Sequence, residues 1–160
     1  MVISWGKPTI HVAVTTTGNQ ATTGWITLPT PVQNSTTLNT TAGTTTEAKE
    51  EGGGLVDSRQ EKSTFALEFE LFVKKPTGNT TTADLPIADI DGVITDNYSL
   101  VLIPEDTNCI GIRMDKCSVA AEKSYSSEDG IKVKYTFTAL IPTDDSGMCK
   151  LGVYTAPQNS

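Results

Sequence analysis

Histidine and cysteine are scarce. The chain of 160 residues holds one histidine, His11, and three cysteines, Cys109, Cys117 and Cys149. No Cys-x-x-Cys pair occurs, and zinc sites are usually built from closely spaced Cys or His pairs. Neither a metal centre nor a cofactor is therefore expected. His11 lies in Ile10-His11-Val12-Ala13-Val14, where alternation sends Ile10, Val12 and Val14 to one face and His11 to the other. Nothing in the sequence suggests the orienting acid and nucleophile that a catalytic histidine needs, so His11 reads as a solvent-facing strand residue. The thiols read as three reduced cysteines in a protein made in the cytosol. Cys109 and Cys117 fall on two adjacent predicted strands, so a disulfide between them is the alternative.

Basic residues are also in short supply. Twelve Lys and Arg stand against nineteen Asp and Glu, a net charge of -7. That excludes a protein that grips nucleic-acid phosphates through clustered cations. No run of 18 apolar residues occurs, so no membrane span is expected. The N-terminus, Met1-Val2-Ile3-Ser4-Trp5-Gly6-Lys7, lacks a basic segment followed by an apolar stretch, so no secretory signal is expected. The Gly-x-Ser-x-Gly elbow, His-Glu-x-x-His and the dinucleotide fingerprint are all missing. Aromatic residues are 6% of the chain and fall mostly on predicted core faces, unlike the aromatic cleft of a β glycosidase. Gly52-Gly53-Gly54 lacks the Lys of a phosphate loop and follows two glutamates. It reads as a hinge or a point of close backbone approach. The four glycosylation sequons, at Asn34, Asn39, Asn79 and Asn97, read as chance matches in a Thr-rich chain. No enzyme is expected.

Threonine is what fills the gap, at about one residue in six. It is β-branched and favoured in strands. The length suits one domain, so residues 1–160 read as a single, mainly β domain. Residues 10–16 and 24–28 read as strands joined by a turn at Gly18-Asn19, the second ended by Pro29 and Pro31. Residues 30–54 carry almost no large apolar side chains and cannot offset their ordering entropy by burying themselves. They read either as a mobile arm or hairpin that orders on meeting a partner, or as a plain surface loop.

The strongest pattern is residues 63–75, where Phe65, Leu67, Phe69, Leu71 and Val73 alternate with Thr64, Ala66, Glu68, Glu70, Phe72 and Lys74. Residues 84–91 read as a short helix, with Asp84 as cap, Pro86 in the first turn and Gly92 as terminator. Strands are expected at 98–103, 109–114 and 117–123. A second long amphipathic strand is expected at 131–141, with Lys132, Lys134, Thr136 and Thr138 on its polar side. If the two long strands pair, Glu68 and Glu70 oppose Lys132 and Lys134 and help set register. The tail, residues 155–160, reads as frayed.

Three pieces carry a family likeness: Glu50-Glu51-Gly52-Gly53-Gly54 leading into the strand 63–75, the short helix 84–91, and the closing strand Lys132–Pro142. From about residue 10 to 154, in layout, the chain resembles the tail tube (major tail) proteins of long-tailed bacteriophages. The resemblance implies a β-sandwich or half-barrel with one short helix packed at its side. It implies hexameric rings that stack into a tube, a virion component made in the bacterial cytoplasm, with other tail proteins as partners. DNA would be non-specific cargo in a lumen that is often acidic in this family. On that reading Glu68, Glu70, Lys132, Lys134, Thr136 and Thr138 line the lumen. Asn34, Thr37, Leu38, Asn39, Thr41, Glu47, Glu50 and Glu51 belong to an inter-subunit arm, and excising 34–46 leaves a folded monomer but abolishes tube formation. The competing reading is a non-catalytic β-sandwich binding module or surface adhesin or pilus-type subunit, with Trp5, Trp25 and Tyr125 as its aromatic platform.

Overall fold

Alternation in two long segments organises the molecule. The structure, a computed structural model, describes residues 6–15, 18–73, 87, 89–106, 109–142 and 150–155. Ten strands follow in chain order: β1 (Thr9–Val14), β2 (Ile26–Thr27), β3 (Thr37–Thr41), β4 (Thr45–Lys49), β5 (Leu55–Gln60), β6 (Thr64–Phe72), β7 (Tyr98–Ile103), β8 (Ile110–Ser126), β9 (Gly130–Ala139) and β10 (Gly152–Thr155). No helix occurs among the described residues. The main sheet runs β2-β1-β7-β8-β9-β6-β3, with β10 on β8, and β4–β5 is a separate two-stranded ribbon.

β6 and β9 pair antiparallel from Ala66↔Thr138 to Phe72↔Lys132, and β8 pairs β9 from Cys117↔Ala139 to Ser126↔Gly130. One face therefore collects Leu67, Phe69, Leu71, Val119, Val133, Tyr135 and Phe137, all buried. Phe69 stacks on Phe137 at 5.5 Å between centroids and tilts against Tyr135 at 6.1 Å, geometries that add to simple burial. The Tyr135 hydroxyl donates to the Ile87 carbonyl at 3.1 Å. Its one polar atom is thus satisfied inside the core, and Ile87, Leu28, Ile94 and Leu151 pack against the same cluster.

The sheet is open but curled. The Leu28 N–H donates to Ile10 O of β1, and the Val32 N–H donates to Glu70 O of β6. In a flat sheet those flanks lie six strand spacings apart, about 29 Å. Only Pro29-Thr30-Pro31 separates Leu28 from Val32, a reach of roughly 14 Å at most. The sheet must bend to bring its two sides within that span. Proline suits the strap, since it holds an extended φ and has no N–H left to satisfy.

Several expectations change. Residues 109–114 and 117–123 belong to one continuous strand, β8, in which a bulge between Leu100↔Met114 and Tyr98↔Cys117 absorbs an extra residue. Cys109 and Cys117 are both buried. They are separated along nearly extended chain by roughly 26 Å, which rules out a disulfide between them. Cys149 lies outside the described residues. Of the expected helix 84–91, residues 84–86 and 88 lie outside the described residues. Residues 90–93 form a tight turn instead, in which Ile90 and Val93 exchange N–H···O bonds of 2.9 and 3.0 Å. Asp91 and Gly92 both have positive φ, 51° and 83°, as a type I′ turn requires. Val14 is half exposed, against the alternation of β1.

The polar stretch 30–54 is not one unit. β3 pairs with β6 from Thr37↔Glu68 to Thr41↔Thr64, and Leu38 packs on the core. Excising 34–46 would therefore remove a strand of the main sheet as well as Thr45 and Thr46 of the ribbon. β4 and β5 pair only with each other and touch no other strand. Of the tail, Thr155 ends β10, and residues 156–160 lie outside the described residues.

Phe137→Ala should cost about 3–5 kcal/mol, whereas Thr136→Ala, on the opposite face, should cost under roughly 1 kcal/mol. Urea unfolding of both variants checks the assignment of faces.

Candidate functional site

The face opposite the aromatic core is polar across four strands. Because side chains alternate and the registers are fixed, its residues form rows across β3-β6-β9-β8. One row is Asn39, Ala66, Thr138 and Ser118. The next is Thr37, Glu68, Thr136 and Ala120. Then come Glu70, Lys134 and Glu122, followed by Phe72, Lys132 and Ser124. All six residues expected to share a polar surface do so: Glu68, Glu70, Lys132, Lys134, Thr136 and Thr138. Three residues expected on the arm, Thr37, Asn39 and Thr41, extend this face on β3. Leu38 points to the core side instead.

The charges interlock diagonally. Lys134 Nζ lies 3.5 Å from Glu68 Oε2, and Lys132 Nζ lies 3.8 Å from Glu70 Oε2 and 3.4 Å from Asp129 Oδ2. These pairs are half in solvent, so each contributes about 0–1 kcal/mol. Their larger effect is on register, because a one-residue slip would bury every charge. With Glu122, the face carries three carboxylates against two ammoniums. It is close to balanced, whereas the resemblance implies a lumen that is often acidic.

The remaining arm residues lie elsewhere. Asn34 sits in a turn with φ 61°, beside a cleft of about 560 Å³ lined by Lys7, Pro31, Gln33 and Asn34 among others. Glu47 lies on β4, 3.7 Å from Lys49. Glu50 and Glu51 lead into the tip of the ribbon, where Glu50 and Gly54 are bonded and Gly52 and Gly53 take positive φ. Leu55 and Val56 on β5 are 58% and 60% exposed.

The two outermost strands of the sheet differ. β2 has only two residues and is followed by prolines, a common way to blunt an edge. β3, Thr37-Leu38-Asn39-Thr40-Thr41, has no proline, charge or bulge. Among the described residues no strand pairs with its outer edge.

Several titratable groups are shifted by their surroundings. Burial, reinforced by Asp115, pushes the Cys117 thiol up to about 12, and burial pushes the Tyr135 hydroxyl up to about 12. Asp89 is held below its usual value chiefly by the Gly92 N–H at 2.8 Å, with burial opposing and Lys123 Nζ at 3.2 Å assisting. His11 Nδ1 lies 3.0 Å from Thr27 Oγ1, a cross-strand contact. No cluster of three or more His, Cys, Asp or Glu residues suited to a metal occurs among the described residues. No helix among them is long and apolar enough to cross a membrane.

Sequence reading missed β5, β10 and the pairing of buried Asp115 with the partly exposed Arg113. The run Gly152-Val153-Tyr154-Thr155 carries a short β signal. An acid between strand residues Met114 and Lys116 had no such signal. No family model matches the chain, and no curated protein matches it in sequence.

Glu68→Lys places like charges beside Lys134. It should cost roughly 0.5–1 kcal/mol at low salt, and less at 1 M NaCl. Urea unfolding at the two salt concentrations measures both values.

Proposed function

We propose that this protein is a structural, self-assembling subunit of a phage tail tube. In this reading copies join side by side into rings, hexameric by the resemblance, that stack, with the curvature of the ring turning the convex polar face of each sheet to the lumen. The observation that carries it is the polar face that runs to an unblunted edge at β3. Closing a ring edge to edge would satisfy that edge and turn the balanced, hydroxyl-rich face inward. DNA would pass along it as non-specific cargo, since paired charges and hydroxyls offer no cluster of cations to hold phosphate. The reading assigns no catalytic role and places the protein in the virion tail.

The ribbon β4–β5 fits an inter-subunit contact. A two-stranded hairpin is marginal alone, and this one presents Leu55 and Val56 to solvent. Packing against a neighbouring copy would cover them and order the glutamate-bearing tip.

The alternative, a non-catalytic binding module, draws support from Tyr125, which is 74% exposed and offers an aromatic surface to a sugar ring.

Negative-stain electron microscopy across concentration, with light scattering, tests the proposal. Rings or tubes of uniform width are expected from the intact chain. Replacing residues 46–59 with a short Gly-Ser linker should leave a folded protein that stacks poorly or not at all. Monomers at every concentration, with binding in a glycan screen, would favour the alternative.

A further inference from the structure

The face that carries the polar rows becomes a small second core at its β1–β7–β8 end. Ala13, Ser99, Val101 and Asp115 are buried there, with Ala21 beside them. Asp115 lies in the β8 bulge and is only 2% exposed. Its carbonyl is held through Ser99, which is itself tied to Ala21. The Ser99 hydroxyl donates to Asp115 O at 2.7 Å and accepts the Ala21 N–H at 2.9 Å.

The Asp115 carboxylate faces one cation. Arg113 Nε lies 3.0 Å from Asp115 Oδ1, although neither atom completes a hydrogen bond. Arg113 is also the register partner of Gly152 on β10. A Cβ at Gly152 would sit 3.5 Å from Arg113 Nε and 3.6 Å from its Nη2. The guanidinium pairs with the buried acid on its own strand and lies in van der Waals range of Gly152, at the start of the C-terminal strand.

β10 is a four-residue strand that pairs only with β8 among the described residues. It and β9 occupy the same edge of β8 in the same direction, β9 against Cys117–Ser126 and β10 against Ile110–Arg113. The Leu140 N–H donates to Lys116 O where β9 ends. Three residues of β8 separate that point from Arg113, about 10 Å.

We infer that Arg113 and Asp115 form a latch that holds β10 on β8, so that the C-terminal strand detaches as a unit while the rest of the sheet stays folded. Short strands with few partners open locally well below the global unfolding free energy. An ion pair beside the strand raises that local cost: removing Arg113 leaves the buried Asp115 carboxylate without compensation, and removing the Asp115 charge frees the guanidinium from its anchor. The latch does not depend on the tube reading.

The groups that face the pair are few. β7 contributes Ser99 and Val101, and β1 contributes Ala13. His11 of β1 stands in the row of Arg113, with Val101 between them. β10 contributes Gly152. Lys116 and Cys117 follow Asp115 in the chain. Burial holds the Asp115 carboxyl above 3.8, and Arg113 opposes the shift. Protonation therefore has two opposite effects. It relieves a buried charge, so global stability rises as pH falls through the native titration towards 3.8. It also removes the attraction for Arg113, so β10 loosens over the same range. A merely structural acid would produce only the first effect.

Hydrogen exchange of the full chain, read by mass spectrometry and corrected for intrinsic rates, tests the latch. In Asp115→Asn, exchange at 152–155 should speed up about tenfold or more, while 130–139 stays within about twofold. Arg113→Gln should do the same, with Arg113→Lys partly restoring protection. Wild type should loosen at 152–155 as pH falls towards 3.8, and Asp115→Asn should not respond. Unchanged protection of 152–155 in both Asp115→Asn and Arg113→Gln overturns the latch. So does an equal loss of protection across 130–139.

Discussion

The register of β9 between β6 and β8 is the constraint on which the structure depends. β9 places Val133, Tyr135, Phe137 and Ala139 on one face and Lys132, Lys134, Thr136 and Thr138 on the other. Both neighbours repeat that division, so a slip of one residue would exchange core and surface on three strands. The aromatic cluster of Phe69, Tyr135 and Phe137 supplies the main burial. The Glu–Lys diagonals contribute little free energy but disfavour the wrong register. One pairing pattern therefore fixes both the core and the polar face.

The curl follows from covering a single sheet. An apolar face must be buried against something, and no helix among the described residues does so. The sheet bends towards itself, and loop residues Leu28, Ile87, Ile94 and Leu151 fill the concavity. The proline strap between Leu28 and Val32 keeps the two sides close. The outward consequence is a convex polar surface with one unblunted edge. The proposed assembly would need that surface to face inward, so neighbouring copies would have to set the curvature of the ring between them.

The long strands were legible because their alternation is strict: Phe65 to Val73, and Ile131 to Ile141. The charge pairing of Glu68 and Glu70 with Lys132 and Lys134 was legible for the same reason. β3 was not, since an edge strand that gives only Leu38 to the core looks like a polar loop. β4 and β5 were not, because a ribbon with no buried side has no alternation to read. β8 looked like two strands because Asp115-Lys116 resembles a polar turn, whereas a bulge carries the chain straight through. At Asp91-Gly92, the glycine that would end a helix is also the second central residue of a type I′ turn. The hydrogen bonds between Ile90 and Val93 decide for the turn. The candidate face was thus readable residue by residue, but its extension onto β3 and β8 needed the registers.

The most direct test of the central claim is the position of the polar face in an assembled particle. A Thr136→Cys variant labelled with a small gold cluster would be imaged by electron microscopy. The account predicts gold on the axis of each ring. Gold at the rim, or no rings across the concentration range, would contradict it.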